Sequence, residues 1–186
     1  MRIIGGRFRG HRLAPPPRRG VRPTADPLRE ALFNILGDRV RARPFVDLCA
    51  GTGAVGLEAL SRGAEPVLLV ERARAALRTI EANLRRLGLD PRSPAVRVVR
   101  ADAAIWLAGP EPARYRGAVV FLDPPYGDPS APRLAAAVFR SGLLGSDGLL
   151  VVEHRAGEVP PAPEPLWSRT YGDAALTAYG PQPSGD

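Results

Sequence analysis

An alternation of short apolar runs with helical segments, which begins near residue 44, constrains the fold more than any other feature of this sequence. The run Val67-Leu-Leu-Val70, for example, is typical of a buried strand, and the segment after it carries apolar side chains at helical spacing. Strands that alternate with helices predict a doubly wound, Rossmann-like α/β fold with a mainly parallel sheet. The predicted strands span residues 45–48, 67–70, 96–99, 118–122 and 149–152.

Two further segments flank this alternating pattern. Residues 1–23 are expected to form a basic N-terminal extension with a short hairpin, and residues 24–186 a single α/β domain. The domain should open with a helix whose N-cap is Thr24. At the other end of the chain, residues 166–171 and 174–179 predict an antiparallel hairpin.

Positive charge is concentrated at the N-terminus. The chain of 186 residues has 26 basic and 19 acidic residues and a net charge of +7. Residues 1–43 contain 11 arginines and three acidic residues, whereas residues 44–186 contain 15 arginines and 16 acidic residues. Such a concentration predicts a surface for a polyanion. A solvated, weakly ordered tail would explain the charge equally well.

The composition excludes several classes of protein. The longest stretch without a formal charge is 12 residues, too short for a membrane-spanning helix. The single cysteine, Cys49, cannot form an internal disulfide, and together with His11 and His154 it supplies too few ligands for a zinc cluster. We therefore expect a cytoplasmic protein with no membrane segment and no metal, and we interpret both histidines as structural.

Acidic residues follow the first four predicted strands. Asp47, Glu71, Asp102 and Asp123 each interrupt or end an apolar run. In an open parallel sheet, ligands bind outside the carboxyl ends of the strands. Any one of these acids could be a helix N-cap, but four of them together predict a ligand site.

The turn after the first strand carries glycines at the spacing G-x-G-x-x-G, at Gly51, Gly53 and Gly56. With Glu71 20 residues beyond Gly51, this spacing matches the dinucleotide fingerprint. Asp47 argues against a dinucleotide, because its carboxylate would repel a pyrophosphate. It suits S-adenosylmethionine, which carries an ammonium and a sulfonium group, and whose ribose needs an acceptor such as Glu71.

The fourth strand ends in Asp123-Pro-Pro-Tyr126. The lone pair of an exocyclic base amine is delocalised into the ring, so attack requires the nitrogen to pyramidalise. The Asp123 side chain and the Pro124 carbonyl could accept the two amine hydrogens, with Pro124 and Pro125 holding the backbone rigid. Tyr126 could stack on the base. These residues predict a methyltransferase for an amine on a nucleic acid, and they do not separate guanine N2 from adenine N6.

The motifs together resemble a known family. D-L-C-A-G-T-G at 47–53 and D-P-P-Y at 123–126 resemble class I S-adenosylmethionine-dependent methyltransferases that act on amino groups. M-R-I-I-G-G-R-F-R-G at 1–10 and R-P-T-A-D-P-L-R-E-A-L-F-N-I-L at 22–36 narrow the resemblance to the RsmD family. That bacterial family methylates the N2 amine of a guanine in 16S ribosomal RNA. The resemblance implies a seven-stranded sheet with the terminal hairpin inserted antiparallel.

The resemblance also assigns roles to individual residues. In the cofactor pocket, Asp47, Gly51 and Gly53 would face the methionine part, Glu71 the ribose, and Asp102 with Ala103 the adenine. The target guanine would lie against Asp123, Pro124, Pro125 and Tyr126.

The expected partner is 16S ribosomal RNA, within a small subunit or an assembly particle, and we expect a monomer. The front motif would place Arg22, Thr24 and Arg29 near the site or the RNA backbone, and the basic segment adds Arg7 and Arg9.

Three alternatives remain open at this point. An NAD-dependent oxidoreductase would use the same glycine turn but would leave Asp47 and D-P-P-Y unexplained. A non-catalytic RNA-binding module would have no need of the four acids. Another amino-methyltransferase, acting on adenine N6 or on a protein glutamine, is the strongest rival, although glutamine enzymes more often carry N-P-P-Y. Cys49 is expected to be a small buried side chain rather than a nucleophile.

Overall fold

The computed structural model describes residues 1–16, 26–90, 93–125, 128–158 and 163–182, in which seven strands and five α-helices are found. The strands are β1 (Phe45–Leu48), β2 (Val67–Glu71), β3 (Val96–Arg100), β4 (Val119–Leu122), β5 (Leu149–Arg155), β6 (Trp167–Tyr171) and β7 (Ala174–Tyr179). The helices are α1 (Asp26–Leu36), α2 (Ala54–Ser61), α3 (Arg74–Arg86), α4 (Ala103–Ala108) and α5 (Ala131–Arg140).

All seven strands join one sheet in the order β3-β2-β1-β4-β5-β7-β6. Strands β1 to β5 pair in parallel, and β7 pairs antiparallel with both β5 and β6. The predicted doubly wound sheet and the inserted terminal hairpin are therefore confirmed. Strand order reverses at β1, which lies between β2 and β4, and this reversal is where open α/β sheets bind ligands.

The sheet separates two apolar layers. Successive side chains of β1 illustrate the alternation, because Phe45 packs with α1, α2 and α3, whereas Val46 and Leu48 pack with α4 and α5. The central strands are buried on both faces, which explains why they form continuous apolar runs in the sequence. The polar groups that such strands carry are consequently confined to their ends.

The structure departs most from the predicted elements in two places. No bounds were predicted for the short helix α4, because its six residues are too few to show a helical period. Strand β5 continues to Arg155, three residues beyond the predicted end, because the antiparallel partner β7 extends its pairing there. The predicted N-cap Thr24 lies outside the described residues.

The N-terminal segment forms the predicted hairpin and packs on the domain. Arg2 and Arg12 form an antiparallel bridge, and the Ile3 N–H donates to the His11 carbonyl at 3.0 Å. Ile3 and Leu13 are buried in the same apolar layer as α1 and α2. The described part of this segment therefore shares the core of the domain. The division at residue 23 stays a prediction.

A fully buried carboxylate, that of Glu58 on α2, holds this hairpin in place. Its two oxygens accept hydrogen bonds from the backbone N–H groups of Ile4 and Gly5, each at 2.8 Å. The Arg62 Nε atom donates to the same carboxylate at 2.8 Å. Because each oxygen has an N–H partner, the buried charge is well solvated by the protein.

Arg29 completes this buried network. Its side chain is fully buried, with the Nε atom 3.5 Å from Glu58 Oε2 and the Nη2 atom donating to the Arg2 carbonyl and to Asp26. The expected RNA contact of Arg29 is therefore wrong for this structure, because a side chain with no exposed surface cannot reach a phosphate. Its charge compensates Glu58 instead.

We expect Arg29→Met to lower the free energy of unfolding by about 2–3 kcal/mol, because it removes a fully buried cation that pairs with Glu58 and Asp26 and leaves only Arg62 of the two cations beside Glu58. The matched control is Arg43→Met, which removes a half-exposed pair with Asp147 and should cost less than about 1 kcal/mol. Urea unfolding of both variants measures the difference. Equal losses would contradict the structural role of Arg29.

Candidate active site

The glycine turn between β1 and α2 is shaped by backbone conformations and close packing that favour glycine. Gly51 and Gly53 have φ angles of +55° and +76°, in the left-handed region. A Cβ atom on Gly56 would lie 2.2 Å from the Leu69 Cδ2 atom, so only glycine lets α2 pack this closely on β2. The G-x-G-x-x-G spacing thus brings backbone N–H groups to the carboxyl end of β1.

Asp47, near the end of β1, holds this turn through a hydrogen bond. Its side chain is 2% exposed, and Oδ2 accepts a hydrogen bond from the Gly56 N–H at 2.9 Å. The pKa of Asp47 is raised to about 7, chiefly by burial; the hydrogen bond from Gly56 lowers the pKa, and the charge of Glu71 adds to the increase. At neutral pH this carboxyl is poised between its two forms, and a bound cation would favour the charged one.

Glu71, the last residue of β2, holds the other side of the turn. Its Oε2 atom accepts from the Gly51 N–H at 2.8 Å, and Oε1 accepts from the Ala73 N–H at 2.7 Å. A carboxylate oxygen can accept more than one hydrogen bond. Glu71 can therefore support the turn and still accept a hydrogen bond from a ligand hydroxyl.

Asp102 follows β3 and caps α4. Its Oδ1 atom accepts from the Ala104 N–H at 2.9 Å, and its Oδ2 atom lies 3.6 Å from Arg72 Nη1. The helix N-cap considered for any single acid is therefore observed here. Ala103 is buried behind it. A depression beside Asp102 is lined by Arg72, Arg100 and Ala101, which leaves this side of the sheet edge open to a ligand.

Arg72 was missed by the sequence analysis, which gives no site role to the arginines around α3. The structure places its exposed guanidinium beside Asp102, and its positive charge also acts on Cys49 and Asp128. Its position directly after the strand-end Glu71 is the signal that could have identified it.

The surroundings of Cys49 indicate that three of the four acids, Asp47, Glu71 and Asp123, lie close together. Burial raises the pKa of its thiol to about 12, and the charges of Glu71, Asp47 and Asp123 act in the same direction. The thiol is therefore protonated at neutral pH and is no nucleophile. It is only half-buried, and its φ of +63° is unusual for a residue other than glycine.

Asp123, Pro124 and Pro125 follow directly after β4. Asp123 is half-buried, Pro124 is buried and Pro125 is exposed. The Asp128 N–H donates to the Pro125 carbonyl at 2.9 Å. Tyr126 lies outside the described residues. The structure thus brings Asp123 to the same sheet edge as Asp47 and Glu71.

The residues predicted to contact RNA divide into three groups. Arg7 and Arg9 are exposed on the hairpin, and the Arg7 guanidinium lies 4.5 Å from the centroid of the Phe8 ring. Arg22 lies outside the described residues, as Thr24 does. Arg29 is buried, as described above.

Comparison with known proteins identifies the family. A model of the family described as conserved hypothetical protein 95 matches residues 1–180. Ribosomal RNA small subunit methyltransferase D of Escherichia coli K12 is 33% identical over 190 residues, which cover 100% of this chain and 92% of that protein. The chain belongs to this family, the RsmD family.

Solved structures extend the similarity to the fold. A hypothetical protein of Thermus thermophilus superposes with a TM-score of 0.80 at 38% identity, covering 97% of this RsmD-family chain and 99% of that one. An RNA methyltransferase of Salinibacter ruber, solved in complex with S-adenosyl-L-homocysteine, gives a TM-score of 0.65 at 17% identity. It covers 89% of this chain and 97% of that one. The RsmD-family chain therefore has the class I methyltransferase fold.

No group of three or more His, Cys, Asp and Glu side chains among the described residues is placed to hold a metal ion. None of the helices in the described part of the chain combines the length and apolar character needed to cross a bilayer.

We expect Asp47→Asn to change how stability depends on pH. The folded carboxyl, with a pKa of about 7, binds more protons than the unfolded one, whose value is 3.8, so stability falls as pH rises through this window. The variant lacks this loss. At pH 8 the variant should therefore gain about 4 kcal/mol over the wild type, relative to their difference at pH 4.

Urea unfolding at both pH values measures this gain, with Asp147→Asn, at the amino end of the strands, as the control. A stability difference between Asp47→Asn and the wild type that stays constant with pH would contradict the raised pKa. Asp47→Asn should also weaken the binding of S-adenosylhomocysteine, whereas Asp147→Asn should leave it unchanged.

Proposed function

We propose that this protein transfers a methyl group from S-adenosylmethionine to the exocyclic N2 amine of a guanine in 16S ribosomal RNA. The observation that carries the proposal is the convergence of Asp47, Glu71 and Asp123 beside a glycine turn at the point where strand order reverses. The enzyme class follows from this arrangement and from the family. The choice of guanine N2 and of the small subunit rests on the family alone.

The residues of the turn fit the cofactor. Asp47 offers a buried carboxylate to the ammonium group, and the pairing would draw its carboxyl fully into the charged form. Glu71 accepts from the ribose hydroxyls, and Gly51 allows the backbone to approach closely. Asp102 and Ala103 contact the adenine. When bound, S-adenosylmethionine supplies an electrophilic methyl group, so no metal and no covalent enzyme intermediate are required.

Asp123 and Pro124 prepare the attacking amine. The carboxylate of Asp123 and the carbonyl of Pro124 accept the two hydrogens of the amine, which favours a pyramidal nitrogen with an available lone pair. Pro125 restricts the backbone, and Tyr126 stacks on the base to fix its plane. When the amine nitrogen takes the methyl group, S-adenosylhomocysteine would be released as the product. The Asp123 carboxylate would stabilise the positive charge on the nitrogen until the nitrogen releases one proton to solvent.

The N-terminal hairpin supplies contacts to the RNA backbone. The target base must leave its stack to reach Asp123, at a cost of about a few kcal/mol. Arg7 and Arg9, both exposed, offset this cost through phosphate contacts that do not depend on sequence. Arg22 and Thr24 would extend the same surface. We propose that the enzyme acts in the cytoplasm, as a monomer, on a small subunit or assembly particle.

Tritiated methyl transfer tests the proposal. Small subunits and free 16S RNA, both from a strain that lacks this gene, are incubated with labelled S-adenosylmethionine and digested to nucleosides. Label in N2-methylguanosine is expected. Label in N6-methyladenosine would keep the mechanism and overturn the base assignment. Cofactor binding without label in either RNA would indicate another substrate, such as a protein.

Asp123→Ala should reduce turnover by at least about a hundredfold and leave the affinity for S-adenosylhomocysteine within about twofold, because the residue acts on the amine. The matched control is Asp147→Ala, which removes a carboxylate at the opposite end of the sheet and should keep full activity. Single-turnover methyl transfer and calorimetry separate the two effects. An unchanged rate in Asp123→Ala would rule out its assigned role.

Replacing Arg7 and Arg9 together with Gln should weaken binding to 16S RNA about tenfold at low salt and lower the salt slope by about 1.5–2, because two phosphate contacts are lost. Filter binding at several salt concentrations measures both. The control is the pair Arg116→Gln and Arg140→Gln, exposed cations that border the apolar layer on the other face of the sheet from the hairpin. Equal effects of the two double variants would contradict a specific RNA surface on the hairpin.

A further inference from the structure

Asn83 joins two segments that lie far apart in the sequence. This residue of α3 is fully buried, and its Oδ1 atom accepts a hydrogen bond from the Ala14 N–H at 2.6 Å. Its Nδ2 atom donates to the Thr52 carbonyl at 2.9 Å. Ala14 lies where the N-terminal hairpin ends, and Thr52 lies between Gly51 and Gly53 of the glycine turn. One side chain therefore contacts both the proposed RNA-binding hairpin and the proposed cofactor turn.

The chemistry of the position requires an amide. Only a side chain that accepts and donates at once can satisfy both the Ala14 N–H and the Thr52 carbonyl. Aspartate would keep the acceptor but place a negative charge against the carbonyl. Leucine would leave both backbone groups without this partner. An apolar residue would fill the same space as Asn83, so the two hydrogen bonds explain why this buried position holds an asparagine.

A second contact joins the same two segments. The Thr52 Oγ1 atom lies 3.8 Å from the Met1 sulfur, and the Leu13 N–H donates to the Met1 carbonyl at 3.2 Å. Both ends of the hairpin therefore lie against the turn. At its loop, the Phe8 N–H donates to Ser61 Oγ on α2, the helix that the turn begins. A displacement of the turn would therefore also displace the hairpin.

We propose that Asn83 is a positioning residue that couples RNA binding by the hairpin to cofactor binding at the glycine turn. This inference rests on the proposed function of the site. Cofactor stabilises the turn in the form that offers the Thr52 carbonyl to Asn83, which in turn holds Ala14 and the end of the hairpin. Because coupling between two binding sites is reciprocal, RNA on the hairpin raises cofactor affinity by the same factor.

Hydrogen–deuterium exchange with S-adenosylhomocysteine tests the link without RNA. In the wild type, the ligand should slow amide exchange in the turn and also in peptides that cover residues 1–14. In Asn83→Asp and Asn83→Leu, the slowing in the turn should remain and that in residues 1–14 should disappear. Thr79→Val is the matched control, since Thr79 is buried one turn earlier on α3 and its hydroxyl donates to the Ala75 carbonyl of the same helix at 3.2 Å.

The affinity for 16S RNA provides the second measurement. Saturating S-adenosylhomocysteine should tighten RNA binding at least about fivefold in the wild type and in Thr79→Val. In both Asn83 variants the factor should fall to about one. A residue that merely stabilised the fold would weaken both ligands and leave this ratio unchanged, which separates positioning from structural support. Thermal unfolding identifies a variant that fails to fold, and the other Asn83 variant then provides the test.

The outcomes separate this inference from the proposed function. A wild type whose hairpin does not respond to S-adenosylhomocysteine, or Asn83 variants that keep the response, would overturn the coupling even if N2-methylguanosine is formed. A wild type that shows the coupled response but methylates no guanine would leave the coupling intact and overturn the substrate assignment. Failure to bind S-adenosylhomocysteine at all would overturn both.

Discussion

Two carboxylates that hydrogen-bond to the backbone of one glycine turn are the interaction on which the rest of the structure depends. Asp47 accepts from the Gly56 N–H and Glu71 from the Gly51 N–H, so the turn is held at both of its ends. The turn fixes the start of α2, and α2 carries the Glu58 that binds the hairpin. Burial raises the pKa of Asp47, so the charged form of this carboxylate lowers the stability of the fold. A carboxylate kept in so unfavourable a place is typical of a functional site.

The structural roles of these acids are compatible with the ligand-binding roles that we propose for them. Glu71 supports two backbone N–H groups, and Asp102 caps α4, yet each carboxylate has further lone pairs directed elsewhere. Their hydrogen bonds to the backbone fix the orientation of each side chain before a ligand arrives. Preorganised acceptors lose little freedom on binding, so a helix cap or a turn support makes a better ligand contact than a mobile acid would.

The sequence predicts the sheet well because its strands are buried on both faces, which leaves continuous apolar runs that end at acidic residues. The convergence of Asp47, Glu71 and Asp123 follows from the rule for parallel strand ends. The fate of Arg29 was not predictable in this way, because its partner Glu58 lies on another helix and a charge count treats every arginine alike. The role of Asn83 was not predictable either, because its two partners, Ala14 and Thr52, come together only in the folded chain.

The two kinds of arginine in the N-terminal region respond differently to salt. Counterions screen exposed charges over a distance of about 10 Å at 0.1 M salt, but they reach a buried pair far less. Arg7 and Arg9 are exposed, whereas the Arg29–Glu58 pair has no exposed side-chain surface. Raising the salt concentration therefore weakens contacts to a polyanion without releasing the hairpin from α2. The hairpin should therefore keep its place on the domain under conditions in which RNA dissociates, so the proposed RNA surface is present before RNA binds.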